Sequence, residues 1–383
     1  MKKRGKLALL CLCFSLLSAH ARAEPNLIVH EWGTFTSVQN SQGENLHGYF
    51  INSEPVPAFV HTIGNLIGPF RGIFAEPEVY KGGVPRRHPD IVMRLETPVM
   101  YFYPPRSAKL PLSLNVKVGM LGGWLTEFYP RADANITADD VKIDRPLRKD
   151  FKGTLSWQDI KIGGEGVGPE TTDKVWLAPR KTQSARVQSV SGESEKYLFY
   201  RGVANVASPL RVSRDKKTLI IGGSEESWRF RHGNARIQDI WLVDIDREGN
   251  LAFRNVPQIG DAADPQATVS VAANFNNEDY ATQNLQKLED AMHTALVHEG
   301  LFADEATAML ETWEEAYFKA PGRRVFFLVP RQWVDHYLPL DISVPAQIER
   351  VMVGRIELRD GRDDQRLGSL EAGVVDGVDR PTE

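Results

Sequence analysis

Cysteine is almost absent from this chain of 383 residues, since its only two cysteines, Cys11 and Cys13, lie within the first 23 residues. The 360 residues that follow carry none. This excludes disulfide bonds and a cysteine nucleophile from that part of the chain. A chain of this length is large enough to bury one or two apolar cores. We therefore expect a fold stabilised by packing alone.

Long apolar runs and basic tracts are also missing beyond residue 23. No later segment approaches the roughly 20 apolar residues that a membrane-spanning helix requires. Without the five basic residues of segment 1–23, 41 Lys and Arg stand against 50 Asp and Glu, a formal charge of −9. The sequence therefore predicts that the mature chain has no transmembrane segment and binds neither nucleic acid nor anionic membranes.

Residues 1–23 combine the three parts of a secretory signal peptide. Basic residues fall within the first six positions, and an apolar run follows over residues 7–17. Ala21-Arg22-Ala23 then forms a small-x-small cleavage signal. This pattern predicts cleavage between Ala23 and Glu24 and a periplasmic or secreted mature chain.

Strand signals dominate residues 24–273, which we interpret as a β-rich region. Short runs of β-branched and aromatic residues alternate there with Gly, Pro, Asn and Asp. No repeat of fixed period is present, which argues against a propeller or a solenoid. The pattern predicts strands over residues 27–36, 91–103, 112–118, 153–162, 196–203, 217–221, 237–245 and 251–253.

Residues 274–358 begin with a helical pattern. Apolar residues recur at helical spacing over residues 279–299 and again over residues 304–320. Residues 301–303 form a short link between the two segments, so the spacing predicts an antiparallel helical hairpin.

Strands return after the helices, at residues 324–329 and 350–358. Strands, two helices and strands again predict one α+β fold, predominantly β with sandwich-like sheets and with the hairpin packed on a sheet. Two separate domains are the alternative, but no Pro-rich or Ser-rich linker marks a joint. Residues 359–383 are polar and are expected to form a loose tail.

The segment Ile28-Val29-His30-Glu31-Trp32-Gly33-Thr34-Phe35-Thr36 resembles the N-terminal motif of an uncharacterised family of exported bacterial proteins. The resemblance implies an exported protein with a single fold, and it carries over no catalytic residue. It covers most of the chain beyond the signal peptide, with further similar segments at residues 95–103, 125–130, 198–202, 305–318, 324–330 and 350–357.

An ionisable pair, His30-Glu31, interrupts the first predicted strand between apolar residues 27–29 and Trp32. Adjacent strand residues point to opposite faces, so we expect only one of the pair to face the core. An ionisable group inside a sheet needs a partner or a shifted pKa, and such positions are often functional. The alternative interpretation is a structural hydrogen-bond network.

The same interruption recurs in later predicted strands, at Arg94, Glu96, Glu127, Arg201, Arg355 and Glu357. Several such residues in apolar settings predict a shared buried polar cluster. The candidate catalytic residues are therefore His30, Glu31, Glu96, Glu127 and Arg201.

Histidines are concentrated early in the chain, where His30, His47, His61 and His88 fall within 59 residues. Imidazole and carboxylate ligands suit zinc, copper, iron or manganese. We therefore take His30, His61 and His88 as candidate ligands of a transition metal. Their spacing matches neither a helical His-Glu-x-x-His nor a His-x-His motif.

Two functions remain open. The first is an extracytoplasmic enzyme, with or without a metal, whose site surrounds His30 and Glu31. There the carboxylates would serve as ligands or as acid–base groups, and Arg201 would clamp an anion or an oxyanion. The second is a non-catalytic cell-envelope protein that binds a polymer or a protein through an aromatic surface.

Overall fold

The computed structural model describes residues 27–47, 56–63, 88–136, 141, 145–225, 236–260 and 267–359. The predicted signal peptide, with both cysteines, lies outside the described residues, as does all of the predicted tail beyond Arg359. Strands predominate over helices in the described part, so the fold is predominantly β with added helices, as predicted. None of the described helices has the length and apolar character needed to cross a bilayer.

Eighteen strands occur among the described residues. In chain order they are β1 (Leu27–Gln39), β2 (His61–Thr62), β3 (Met93–Tyr103), β4 (Leu112–Leu121), β5 (Gly123–Tyr129), β6 (Asp133–Asn135), β7 (Lys152–Ile162), β8 (Val187–Gln188), β9 (Ser194–Glu195), β10 (Leu198–Ala204), β11 (Leu210–Asp215), β12 (Thr218–Gly223), β13 (Ile240–Ile245), β14 (Leu251–Val256), β15 (Thr268–Ala272), β16 (Gly322–Leu328), β17 (Leu340–Ile342) and β18 (Ala346–Leu358).

Most of these strands form one large mixed sheet, whose main path runs β14-β13-β16-β18-β1-β3-β10-β5-β7-β4-β17. Strand β1 lies inside this path, parallel to β18 and antiparallel to β3. Strands β11, β12 and β15 form a separate small sheet. Nearly every residue of β1 is buried, as expected of a strand whose two faces are both covered.

The described helices are short or medium in length. They are α1 (Lys174–Leu177), α2 (Asn284–His298), α3 (Ala303–Trp313) and α4 (Arg331–Tyr337), with 3-10 turns at Ala178–Lys181 and Asn277–Asp279 and a π-helix at Glu314–Lys319.

The second predicted helix differs from the structure in its last part. It was expected to remain regular up to Pro321, but α3 ends at Trp313 and the chain continues as a π-helix. The buried Arg324 side chain donates hydrogen bonds to the carbonyl oxygens of Tyr317 (2.6 Å) and Ala320 (2.8 Å). These bonds satisfy carbonyl groups that a terminating helix leaves without partners.

Apolar side chains form two clusters on the two faces of the main sheet. One cluster contains Trp32 of β1 and Trp313 of α3, and we call this side the helix face. The other contains Phe35 of β1 and Trp333 of α4, and we call it the opposite face. Full burial of each large side chain contributes about 1.5–3 kcal/mol, so the fold is stabilised from both faces.

Candidate functional site

The His30-Glu31 pair is divided between the two faces of the sheet. His30 contacts residues of the helix face, whereas Glu31 contacts residues of the opposite face. Both side chains are almost completely buried. The expectation that only one of them faces the core is therefore wrong, because α2, α3 and α4 cover both faces.

His30 belongs to a buried hydrogen-bond network that joins β1, β3 and α3. Its Nδ1 atom lies 2.7 Å from Glu305 Oε2, and the Tyr103 hydroxyl donates to Glu305 Oε1 at 2.7 Å. Glu305 also accepts the backbone N–H of Phe302 at 2.7 Å, which caps the first turn of α3. Burial, reinforced by the charge of Glu305, raises the pKa of Tyr103 far above its ordinary value.

Glu31 belongs to a second network, which joins β1, β10, β18 and α4. Arg350 Nε donates to Glu31 Oε2 at 2.5 Å, and the Tyr200 hydroxyl donates to Glu31 Oε1. Arg350 Nη1 also donates to Asp335 Oδ1 at 3.0 Å. Burial and the charge of Glu31 raise the pKa of Tyr200 well above its ordinary value, so this hydroxyl stays protonated and remains a donor.

Glu96 belongs to a third network, between β1, β3, β18 and the π-helix. Tyr317 and Thr36 donate hydrogen bonds to Glu96 Oε2 at 2.7 and 2.8 Å. Arg94 and Arg355 lie 3.9 and 3.7 Å from its carboxylate oxygens. Burial alone would raise the pKa of Glu96, but the two guanidinium groups and the two hydrogen bonds outweigh it and lower the pKa.

Two β-bulges flank β10 near Glu96. On β3, residues 96–98 oppose only residues 200–201 of β10. On β5, Thr126 has no opposite residue on β10. Bulges bend a strand and redirect its side chains, and they are over-represented next to active sites.

Glu96, Arg201 and Glu127 lie side by side on β3, β10 and β5 at these bulges. Arg201 is directly opposite Glu127, so the two side chains share a face of the sheet. The group lies on the helix face for two reasons. Tyr317 donates a hydrogen bond to Glu96, and Arg201 lines the same cavity as Trp176, which belongs to the helix-face cluster. We call the following residues the central polar cluster: Glu96, Thr97, Glu127 and Arg201.

Thr97 is strained. Its φ of 48° lies in the left-handed region, where a β-branched residue is an outlier. Such a conformation costs about 1–3 kcal/mol and occurs mostly at functional sites. The bulge also requires glycine at position 33, because a Cβ there would lie 2.9 Å from Pro98 Cα.

A small cavity lies next to the cluster, lined in part by Thr97, Asp173 and Arg201. Its volume of about 20 Å³ is enough for one water molecule. Thr97 Oγ1 is buried and has no hydrogen-bond partner within the described residues. The cavity therefore offers a water position beside an unsatisfied hydroxyl and a guanidinium.

The structure thus brings together three of the five predicted catalytic residues: Glu96, Glu127 and Arg201. His30 shares their face but lies roughly 13 Å along β1 from Thr34, the residue opposite Glu96. Glu31 is on the other side of the sheet.

The predicted metal ligand His61, which lies on β2, has a carboxylate partner of its own. Its Nε2 atom lies 2.8 Å from Glu193 Oε1, and its ring stacks on Phe128 at a centroid distance of 5.8 Å. This partner is different from that of His30, so the two histidines do not share a carboxylate.

The third predicted ligand, His88, uses both ring nitrogens in hydrogen bonds. Asp90 donates its backbone N–H to Nδ1 at 3.1 Å, so Nε2 carries the proton that is donated to the Arg145 carbonyl at 3.1 Å. Across the described ranges, no group of three or more potential His, Cys, Asp or Glu ligands occurs. The described geometry therefore supplies no ligand set for the predicted metal.

The tryptophans bear on the second hypothesis, which requires an aromatic surface. All seven that the structure describes are buried: Trp32, Trp124, Trp157, Trp176, Trp241, Trp313 and Trp333. They therefore pack in the two cores and supply no exposed aromatic row within the described part of the chain.

Sequence reasoning missed Thr97 and the bulge on β3. The available signal was Pro98 inside a predicted strand, since proline within a sheet is confined to edges and bulges. It also left Glu305 and Arg350 without a role, although both lie in segments of the family resemblance. Their partners are more than 270 residues away in the chain, and no local spacing reports such a contact.

Comparison with known proteins identifies no family for this chain. No family model and no curated protein matches this chain. Among solved structures, the Fcho1 Mu homology domain of Danio rerio with bound Eps15 peptide is similar at 7% identity and a TM-score of 0.31, over 88% of this chain and 97% of that chain. The yeast delta-COP-I mu-homology domain is similar at 9% identity and a TM-score of 0.29, over 88% and 98%. Similarity at this level establishes neither a shared fold nor a shared function.

Proposed function

We propose that this chain is an exported hydrolase whose reacting groups are Arg201 and Glu127 of the central polar cluster. The observation that carries the proposal is the placement of these two side chains directly opposite each other between two bulges, beside the strained Thr97. Export to the periplasm or beyond is supported by the signal-peptide pattern of residues 1–23.

In this proposal Glu127 is the general base, and the nucleophile is a water held between its carboxylate and the guanidinium of Arg201, the residue opposite it on β10. Glu127 takes a proton from the water, and the water oxygen forms a bond to the carbonyl carbon of an ester. The Arg201 guanidinium stabilises the negative charge that develops on the carbonyl oxygen. The ester bond then breaks, and the departing alcohol takes the proton from Glu127.

Two features of the predicted fold belong to the same proposal. They are the sandwich-like packing of the sheets and the pairing of α2 with α3 as an antiparallel hairpin. The hairpin would cover the helix face and exclude bulk water from the cluster. His30 and Glu31 act here as fold-stabilising residues, because each bonds to a buried side chain, His30 to Glu305 and Glu31 to Arg350.

The test is an assay of protein recovered from the periplasm or medium, whose intact mass should be that of residues 24–383. We expect turnover of at least one member of a panel of p-nitrophenyl esters. Arg201→Lys and Glu127→Gln should each lower kcat/KM by about 10²-fold or more, because each removes one catalytic group.

Arg211→Lys is the matched control, since this exposed arginine of β11 bonds, among the described residues, only the loop carbonyl of Gln42. It should leave turnover unchanged. Turnover that survives both cluster substitutions would contradict the proposed site. Absence of turnover across the panel would instead favour the non-catalytic envelope protein.

A further inference from the structure

A groove opens at the end of the main sheet where β1 and β10 finish and β3 begins. Its walls include Glu44, Asn45, His47, Lys149, residues 205–207 and the end of α4. Its volume of about 520 Å³ falls within the range of about 300–1,000 Å³ that is usual for small-molecule sites. Loops held at the end of a rigid sheet are a common location for binding.

The inner part of the groove is apolar. Val92 and Val206 are buried, and Leu121 and Ala207 are partly exposed beside them. An apolar group seated on these side chains would be removed from water, which stabilises a complex in proportion to the area buried.

The rim carries polar side chains that the fold does not use. Lys149, His47 and Asn205 make no side-chain hydrogen bond or ion pair with the described part of the chain. Glu44, the acidic residue of the rim, accepts a hydrogen bond from the neutral amide of Asn40 at 2.9 Å and keeps its negative charge. Among the groove residues, Lys149 is the Lys or Arg that can pair with an anionic ligand, and its ammonium has no ion-pair partner in the described part of the chain.

We propose that this groove binds a small organic anion, with an apolar body against Val92 and Val206 and its anionic group at Lys149 Nζ. Asn205 and His47 supply further hydrogen bonds at the rim. The groove lies at the end of the strands, away from the Arg201–Glu127 pair, so this site is additional to the proposed hydrolytic centre.

The test is a fluorescence titration of the folded protein with 1-anilinonaphthalene-8-sulfonate, which combines apolar rings with one anionic group. We expect saturable binding at one site. Lys149→Met should weaken binding about tenfold or more, because it removes a charged hydrogen-bond donor. Asn205→Ala should weaken it severalfold.

Two controls distinguish binding at this site from nonspecific binding to apolar surface. Lys161→Met replaces an exposed lysine of β7 that is far from the groove. The groove residue Leu121 pairs with Lys152 at the start of β7, and Lys161 lies roughly 30 Å further along that strand. It should leave the affinity unchanged. Neutral N-phenyl-1-naphthylamine, which lacks the sulfonate, should bind at least about tenfold more weakly than the anionic probe.

Equal affinity of wild type and Lys149→Met for the sulfonate would overturn the proposal. Equal affinity of the neutral amine and the sulfonate would overturn it as well, since the groove would then be a general apolar surface. Far-UV circular dichroism of each variant checks that the fold is intact, which is expected because Lys149 is exposed.

Discussion

Replacing Glu31 with alanine is expected to lower the free energy of unfolding by about 3–5 kcal/mol. The substitution leaves the Arg350 guanidinium, only 1% exposed, without its buried carboxylate. It also leaves the buried Tyr200 hydroxyl without an acceptor. An uncompensated buried charge is among the most destabilising changes that a single substitution can make. Urea denaturation at neutral pH measures the loss.

Asp335→Ala is the matched control, because it removes the other carboxylate partner of Arg350 from a position that is 48% exposed. Its effect should stay below about 1 kcal/mol, as for other exposed ion pairs. The double variant Glu31→Leu/Arg350→Met should recover much of the stability, since neither charge is then left alone. A loss below about 1 kcal/mol in Glu31→Ala would show that Glu31 is not a stabilising residue.

Replacing Glu96 with glutamine is expected to lower the free energy of unfolding by about 1–3 kcal/mol at pH 7. Glutamine keeps the size of the side chain but removes the charge that faces Arg94 and Arg355. The hydrogen bonds from Tyr317 and Thr36 also lose their charged acceptor. The loss is measured by urea denaturation of both proteins.

The pH dependence of stability provides a second readout for Glu96. Its pKa is lower in the folded protein than the ordinary value of 4.5. The unfolded chain therefore binds a proton at Glu96 more readily than the folded protein does. The stabilisation by Glu96 is present above pH 4.5 and is lost as the pH falls through the pKa of the folded protein. Below about pH 4.5 the wild type should lose stability more steeply than Glu96→Gln. Parallel curves for the two proteins would contradict the lowered pKa.

Local patterns in the sequence were sufficient to predict several elements. The apolar run around the His30-Glu31 pair predicted β1, because a strand covered on both faces is apolar at nearly every position. A stripe that includes Met309 and Trp313 predicted a second helix, and both residues are buried in α3. Both signals are local, because they depend only on residues close together in the sequence, within a few helical turns or within one strand.

Other features depend on contacts that no local pattern reports. The short helix α4 was missed because its apolar residues, Trp333, Val334 and Tyr337, span little more than one turn. The charged residues of the strands were recognised as anomalous, but their partners were not. Glu305 and Arg350 reach β1 only through the fold, so their networks with His30 and Glu31 could not be derived from spacing.

The charged residues in the strands therefore fall into two groups. His30 and Glu31 belong to buried networks that attach α3, α4 and β18 to β1, and their role in the fold follows from these partners. Arg201 and Glu127 instead lie between two bulges and beside a residue held in an unfavourable conformation. A protein can retain such strain at a site where the geometry serves function.

The measurement that tests this account most directly is the free energy of unfolding of Thr97→Gly, together with its ester turnover. Glycine adopts positive φ without steric cost, so the substitution should relieve about 1–3 kcal/mol of strain, offset by about 0.5–1 kcal/mol of added chain flexibility. We predict a variant that is about 1 kcal/mol more stable than the wild type and whose turnover is lower, because the relaxed bulge no longer positions Arg201 and Glu127. A Thr97→Gly protein that is less stable than the wild type and retains full turnover would contradict the account.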